Sequence, residues 1–320
     1  MLNKYTRKHK RYITCVGLAT HPFHKGLKKN VTLEKLDYKE LALSMIPVAQ
    51  QAGAAIMDVY RSAPNVRYKT DRSPVTDADH AAEEIILRAI SKLLPHVPVI
   101  AEEQAAAGNI PSTDGEFFLV DPLDGTKEFL KGNGEFTVNI ALVSCNKPVF
   151  GLIYAPGKSD CYLTLNPGEA FRFHLDPAHH PQPRQTFDFE RLTGEAQAGR
   201  AMTAVVSRSA VRPQAQAFLE KLPVAKTMPL GSSLKFCVLA RGDADVYPRF
   251  GPTSEWDIAA GQAILDASGG SVVTPDGKPV DYGKRDRGFV NPSFIAWRRS
   301  SDAKRFSIST EPPDCLEAKI

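Results

Sequence analysis

Asp121-Pro122-Leu123-Asp124-Gly125-Thr126-Lys127-Glu128-Phe129 is the stretch whose residue types and spacing most directly suggest chemistry. It follows the apolar run Phe117-Phe118-Leu119-Val120, which reads as a short buried strand, so Asp121 stands at a strand end. Pro122 cannot donate to a ladder and fixes its own φ. The chain is therefore expected to leave the sheet there and carry Asp124 round to the side of Asp121. Two like charges brought to one point need a cation, and hard oxygen ligands of this kind suit magnesium or manganese. Gly125 permits an unusual backbone angle and Thr126 is an acceptable N-cap, so free N–H groups and a hydroxyl would face that cation. Such a place would hold a phosphate. Alone, the stretch also reads as an ordinary surface turn.

Other carboxylates fall at the ends of other elements. Val97-Pro98-Val99-Ile100-Ala101 is strand-like and ends at Glu102-Glu103. Far downstream, Trp256 opens an amphipathic helix with Asp257 in its first turn. Lys69-x-Asp71-x-Ser73-Pro74-Val75-Thr76-Asp77-x-Asp79 puts a turn before a helix that begins near Ala78. There Asp77 is either a capping carboxylate or a functional one.

The elements that must position these groups follow from periodicity. Leu41, Met45, Val48, Ala49, Ala52 and Ile56 recur at helical spacing and predict one long helix from Asp37 to Arg61. A second runs from Ala78 to Leu94 and stops at Pro95. Between them, 62–73 reads as polar loop, where Lys69 is either solvated or within reach of a phosphate. Strands are expected over 136–144, 149–154, 161–165 and 170–174, with turns at Asn146-Lys147-Pro148, Pro156-Gly157 and Asn166-Pro167-Gly168. That gives a largely antiparallel sheet covered by the two helices. Residues 176–200 are polar and Pro-bearing and read as a loop or domain junction; His179-His180 lie in it without a third ligand nearby. From Ala204, strand and helix alternate through 205–207, 214–221, 233–240, 245–247, 256–267 and 270–273, an α/β half. The expected divisions are an extension at 1–36, an α+β metal-binding half at 37–175, the junction, an α/β substrate half at 201–298, and a polar tail at 299–320.

At 320 residues and 42% apolar composition the chain can bury a sizeable core. Apolar runs are broken by Pro, Gly or charge well short of the roughly 20 residues of a spanning helix. Five scattered cysteines without C-x-x-C spacing favour a reduced, cytoplasmic chain over a zinc site. The net charge of +4 is local: residues 1–39 hold ten Lys/Arg against Glu34 and Asp37, leaving 30 basic and 34 acidic side chains elsewhere. The body is mildly acidic, which argues against a nucleic-acid partner. The basic arm has three readings: a disordered solvated tail, a segment touching anionic lipid or nucleic acid, which for lipid means a peripheral place on the cytoplasmic face of the inner membrane, or residues upstream of the true start.

Four motifs in this order, Lys-x-Asp-x-Ser-Pro-Val-Thr-x-x-Asp, Glu-Glu after a strand, Asp-Pro-Leu-Asp-Gly-Thr and Trp-Asp-x-Ala-Ala-Gly, resemble the magnesium-dependent, lithium-sensitive phosphatases that include inositol monophosphatase. Within that family, Thr126–Phe129, Asn133–Ala141, Ser207–Ser209, Gly231–Cys237 and Tyr247–Thr253 are similar to the bacterial bisphosphate nucleotidases. The resemblance covers roughly residues 37 to 297.

It implies a layered αβαβα architecture and two or three magnesium ions, with manganese as a substitute. Glu102, Asp121 and the Leu123 carbonyl would hold the first ion; Asp121, Asp124 and Asp257 the second, with Asp121 bridging. Asp77 and Thr126 would orient the attacking water, and Gly125 and Thr126 N–H groups would receive the phosphate. Glu103 would bind a third ion or alternate out of the cluster. The resemblance also assigns a nucleotide pocket to Ser207, Ser209, Gly231, Ser232, Lys235 and Arg249, the two cations meeting a second phosphate. One departure is Ala210, where many relatives have His. The implied reaction converts adenosine 3',5'-bisphosphate to AMP and phosphate, clearing a by-product of sulfate activation, with its sulfated form as a second candidate substrate. Inositol monophosphatase activity and a phosphonucleotide sensor without turnover are the alternatives.

Overall fold

The helical period read between Leu41 and Ile56 builds α1 (Tyr38–Tyr60), capped by Asp37, whose carboxylate accepts from the Lys39 and Glu40 N–H groups at 2.9 and 3.2 Å. This is a computed structural model; it describes residues 11–14 and 37–306 except 63, 71, 179–185, 197–198 and 209–211. The second predicted helix is α2 (Asp77–Leu93), which packs beside α1.

Both lie on one face of an eight-stranded sheet. In chain order its strands are β1 (Arg11–Thr14), β4 (Val99–Ala101), β5 (Phe117–Asp124), β6 (Thr137–Ser144), β7 (Lys147–Ala155), β8 (Asp160–Asn166), β9 (Glu169–His174) and β10 (Thr186–Leu192). Their spatial order is β1-β10-β9-β8-β7-β6-β5-β4, antiparallel except for the β4/β5 pair. Alternation along the strands sorts the core into two sets. Phe118, Val120, Ile140, Leu142 and Leu152 face α1 and α2, whereas Phe117, Leu119, Ala141, Val143 and Ile153 face the opposite layer.

That layer is α6 (Leu234–Arg241) and α7 (Glu255–Ala267). Helix α7 lies close on β7 because Gly151 lacks a side chain: a Cβ there would fall 2.4 Å from the Ala260 carbonyl oxygen. Beneath it is a second sheet of β11 (Met202–Ser207), β12 (Val224–Leu230), β13 (Val246–Arg249), β14 (Ser271–Val273) and β15 (Phe294–Trp297), in the order β12-β11-β13-β15-β14. Its β12-β11-β13 part is parallel and the rest antiparallel. Helices α5 (Pro213–Leu219) and α8 (Ser300–Phe306) cover the far face through Phe218, Leu219, Ala303 and Phe306. The result is the expected αβαβα layering.

Several boundaries need correction. The loop over 62–73 contains β2 (Val66–Tyr68), paired with β3 (Pro74–Thr76) in a hairpin. The junction at 176–200 contains β10, whose Phe187 and Phe189 pack on Phe173. Of the extension read as disordered, Arg11–Thr14 form an edge strand on β10; the rest lies outside the described residues. The polar tail begins with α8, where Phe306 stacks on Trp297 at 5.5 Å. Strands β12 and β15 escape the periodicity: β12 alternates with Lys226 and Pro229, and β15 is only four residues long. No helix among the described residues is long and apolar enough to cross a membrane.

Candidate active site

Strand β5 does not end at Pro122. It continues to Asp124, but its register against β6 slips: Asp121 faces Asn139 and Asp124 faces Thr137, three steps against two. In a regular strand, residues three apart point to opposite faces; the bulge absorbs Pro122 and lets both carboxylates act at one place. Gly125 then adopts φ +92° and starts α4 (Thr126–Leu130). Gly125, not Thr126, is the N-cap, and the Thr126 hydroxyl is turned to the Leu123 carbonyl and to Asp79 Oδ1, both at 3.3 Å.

That contact corrects the expected role of Asp77. Asp77 is exposed and pairs with Arg67 Nη2 at 2.8 Å. Asp79 is 2% exposed and completes a capping box: its Oδ2 accepts from the Thr76 N–H at 2.7 Å and the Thr76 hydroxyl at 2.8 Å. Residues two apart on a helix lie about 200° apart, so only one of the two acids can face the site. The signal was present in the sequence, since Thr76-x-x-Asp79 is capping-box spacing.

Glu102 begins the short α3 (Glu102–Ala106), and Lys69 Nζ bridges Glu102 Oε1 and Glu103 Oε1 at 2.6 and 2.7 Å. Of the two readings of Lys69, solvated or within reach of a phosphate, neither foresees this bridge between the two glutamates. Burial opposes the Lys69 charge, but the two glutamates outweigh it and raise its pKa. The Glu103 N–H in turn donates to Glu83 Oε2 at 2.9 Å. Asp257 sits in a second capping box, its Oδ2 accepting the Ser254 N–H at 2.8 Å. Burial first, and then the charges of Glu102, Asp124 and Asp257, hold Asp121 well above the ordinary carboxylate range. Burial, then Asp124 and Glu102, do the same to Asp257. Burial likewise raises Glu102, against the pull of Lys69.

Ser233 ties this cluster together from the other half. Asn139 Nδ2 donates to Ser233 Oγ at 2.9 Å, and that oxygen lies 2.8 Å from Asp124 Oδ2 and 2.6 Å from the Asp257 carbonyl. One hydroxyl has one proton, so Ser233 serves either the Asp124 carboxylate or the Asp257 carbonyl at any moment. The carboxylates are not drawn into a finished coordination shell: among the described residues no three metal-binding side chains converge on one point. The donor set nonetheless fits a hard divalent cation. It is all oxygen, and burial with mutual repulsion is what raises Asp121 and Asp257, a strain that a dication would relieve.

Beside the acids opens a cleft lined by Gly125, Ser207, Ser232, Lys235, Arg249 and Asp257, among others. Lys235 Nζ donates to the Ser232 carbonyl and lies 5.3 Å from the centroid of the Tyr247 ring. Burial, with Arg249 adding to it against Asp124, lowers its pKa to about 8. Arg249 Nη1 donates to Ser207 Oγ at 2.9 Å and Nη2 to the Pro252 carbonyl at 3.1 Å, while its buried Nε has no partner. Ser232 itself has φ +48°, an uncommon value for a non-glycine residue. The structure thus brings together Glu102, Asp121, Leu123, Asp124, Thr126 and Asp257, and next to them Ser207, Gly231, Ser232, Lys235 and Arg249. Ser209 and Ala210 lie outside the described residues.

Layered fold and buried acids together define a phosphatase of the metal-dependent kind. Residues 37–305 match the inositol monophosphatase family, and the chain belongs to it. It is 43% identical over 249 residues to the 3'(2'),5'-bisphosphate nucleotidase CysQ of Salmonella typhimurium, covering 77% of this chain and 95% of that protein. With the CysQ nucleotidase of Buchnera aphidicola the identity is 40% over 262 residues, 81% and 94% of the two chains. The crystal structure of CysQ from Bacteroides thetaiotaomicron, described as a bacterial member of the same family, superposes with a TM-score of 0.69 at 36% identity, covering 82% of this chain and 98% of that one.

Proposed function

We propose that the protein removes the 3'-phosphate of adenosine 3',5'-bisphosphate with magnesium as its metal. The observation that carries this reading is the placing of crowded acids beside two cations that no carboxylate among the described residues neutralises. A crowded carboxylate set lies beside Lys235 and Arg249, neither of which is paired to a carboxylate among the hydrogen bonds of the described residues. The nucleotidase names of relatives at about 40% identity support the substrate class.

Glu102, Asp121, the Leu123 carbonyl, Asp124 and Asp257 would hold the divalent ions. When bound, these neutralise phosphate charge and acidify water. Thr126 Oγ, donating to Asp79 Oδ1, leaves its lone pairs to accept a hydrogen bond from the attacking water. Asp79 takes the proton through that hydroxyl as the water oxygen bonds phosphorus. The phosphorus–O3' bond breaks, and the departing ribose oxygen is protonated by solvent. Gly125 and Thr126 N–H groups receive oxygens of the reacting phosphate, and Lys235 and Arg249 bind the 5'-phosphate. The sulfated nucleotide would fit the same arrangement.

The test is phosphate release with magnesium from adenosine 3',5'-bisphosphate and inositol 1-phosphate side by side, with and without lithium. Preference for the nucleotide and inhibition by lithium are expected. Preference for inositol 1-phosphate would keep the metal site and discard the substrate, and release from neither would leave a binding protein.

A further inference from the structure

Glu135, in the turn between α4 and β6, belongs to neither the acid cluster nor the cation pair, yet it touches the backbone supporting both. Its carboxylate receives the Arg208 fork, Nε at 2.8 Å and Nη2 at 2.6 Å, and the Gly231 N–H at 2.8 Å. These charge-assisted bonds hold the Glu135 pKa down although burial opposes them. Its backbone is equally committed. A Cβ on Gly125 or on Gly231 would each come within 3.0 Å of the Glu135 carbonyl oxygen. Glu135 is therefore wedged between the glycine that starts α4 beside Asp124 and the glycine that precedes Ser232.

On the other side, Arg208 follows Ser207, which accepts from Arg249, and its Nη2 also donates to the Pro229 carbonyl at the end of β12. Gly231 precedes Ser232, whose carbonyl accepts from Lys235. One carboxylate thus grips the ends of two parallel strands, and each strand end carries one support of the cationic pocket.

The geometry points to Glu135 and Arg208 as a positioning pair that sets the spacing between the phosphate-hydrolysing end and the cationic end of the cleft, and so selects substrates with two anionic groups at a fixed separation. This rests on the bisphosphate reading above. The pair touches no reacting atom; it acts through Ser207, Gly231 and Ser232.

The experiment is a double-mutant cycle with Glu135→Gln, Arg208→Ala and the combination. It is read as KM and kcat on adenosine 3',5'-bisphosphate and on adenosine 3'-monophosphate, and as the calorimetric Kd of AMP with a chelator present. Each single change is expected to raise KM for the bisphosphate about tenfold, the scale of a lost charged hydrogen bond. The loss should fall on KM rather than kcat and be larger for the bisphosphate than for the monophosphate. The double variant should be no worse than either single one, and Arg208→Lys, which keeps the charge without the fork, should fall between. AMP affinity should fall in parallel. Additive losses, or equal losses on both substrates, would overturn the pair. A wild-type protein inert toward the bisphosphate would overturn the substrate reading instead, and uncoupled AMP affinities would then sink the clasp.

Discussion

The two ends of the cleft are opposites built by the same means. At one, Glu102, Asp121 and Asp257 have their pKa values raised by burial and by neighbouring acids, with Lys69 as the resident cation. At the other, Lys235 is lowered to about 8 by burial beside Arg249. Each end holds an excess of one charge in a place that disfavours charge, so each is completed by what binds there: cations at the first, an anion at the second. The difference lies in how the charge is held. The acids come from element starts and a strand bulge, with capping boxes fixing Asp79 and Asp257. The cations are held by carbonyl and hydroxyl oxygens on the second sheet and α6.

The largest effect should come from breaking the proton path at the acid end. Asp79→Asn is expected to lower kcat on the order of 100-fold or more, whereas Asp77→Asn, which loses an exposed pair with Arg67, should change it little. Single-turnover rates on both variants decide this, and a reversed ranking would restore Asp77. A smaller effect tests the tie between the halves. Ser233→Ala leaves Asp124 without its hydroxyl donor and should weaken divalent-ion affinity about tenfold. Manganese titration followed by electron paramagnetic resonance reads this without turnover, and unchanged affinity would make Ser233 a packing residue only.

The smallest effect separates the ends by pH. Lys235 loses its proton through pH about 8 in the fold, against its ordinary value of 10.5. AMP binding in chelator should therefore weaken several-fold as pH rises through about 8, and Lys235→Ala should flatten that dependence. Stability moves the other way. A lysine with a lowered folded pKa destabilises the fold while charged, so its penalty is relieved between about 8 and 10.5. A pH-independent AMP affinity in the wild type would place Lys235 outside the anion site.

Residue types and spacing by themselves determined much of this protein. Periodicity in 41–56 and 78–94 was enough for α1 and α2, because an amphipathic pattern records which face is buried, and apolar runs separated by Asn-Lys-Pro, Pro-Gly and Asn-Pro-Gly turns were enough for four neighbouring strands. The acids at element ends were legible too, since caps and strand termini have compositional marks. The choice between Asp77 and Asp79 falls between the two levels: Thr76-x-x-Asp79 spacing marks the capped acid, and the packing of α2 against the sheet decides that this acid also reaches Thr126. Tertiary structure alone decided that Lys69 bridges Glu102 and Glu103, from a hairpin whose strands of three residues carry no periodic signal. It also decided that Asn139, Ser233 and Asp124, and likewise Glu135, Arg208 and Gly231, meet across 70 to 110 positions of sequence. Contacts between residues so far apart depend on how layers stack, and no local pattern records that.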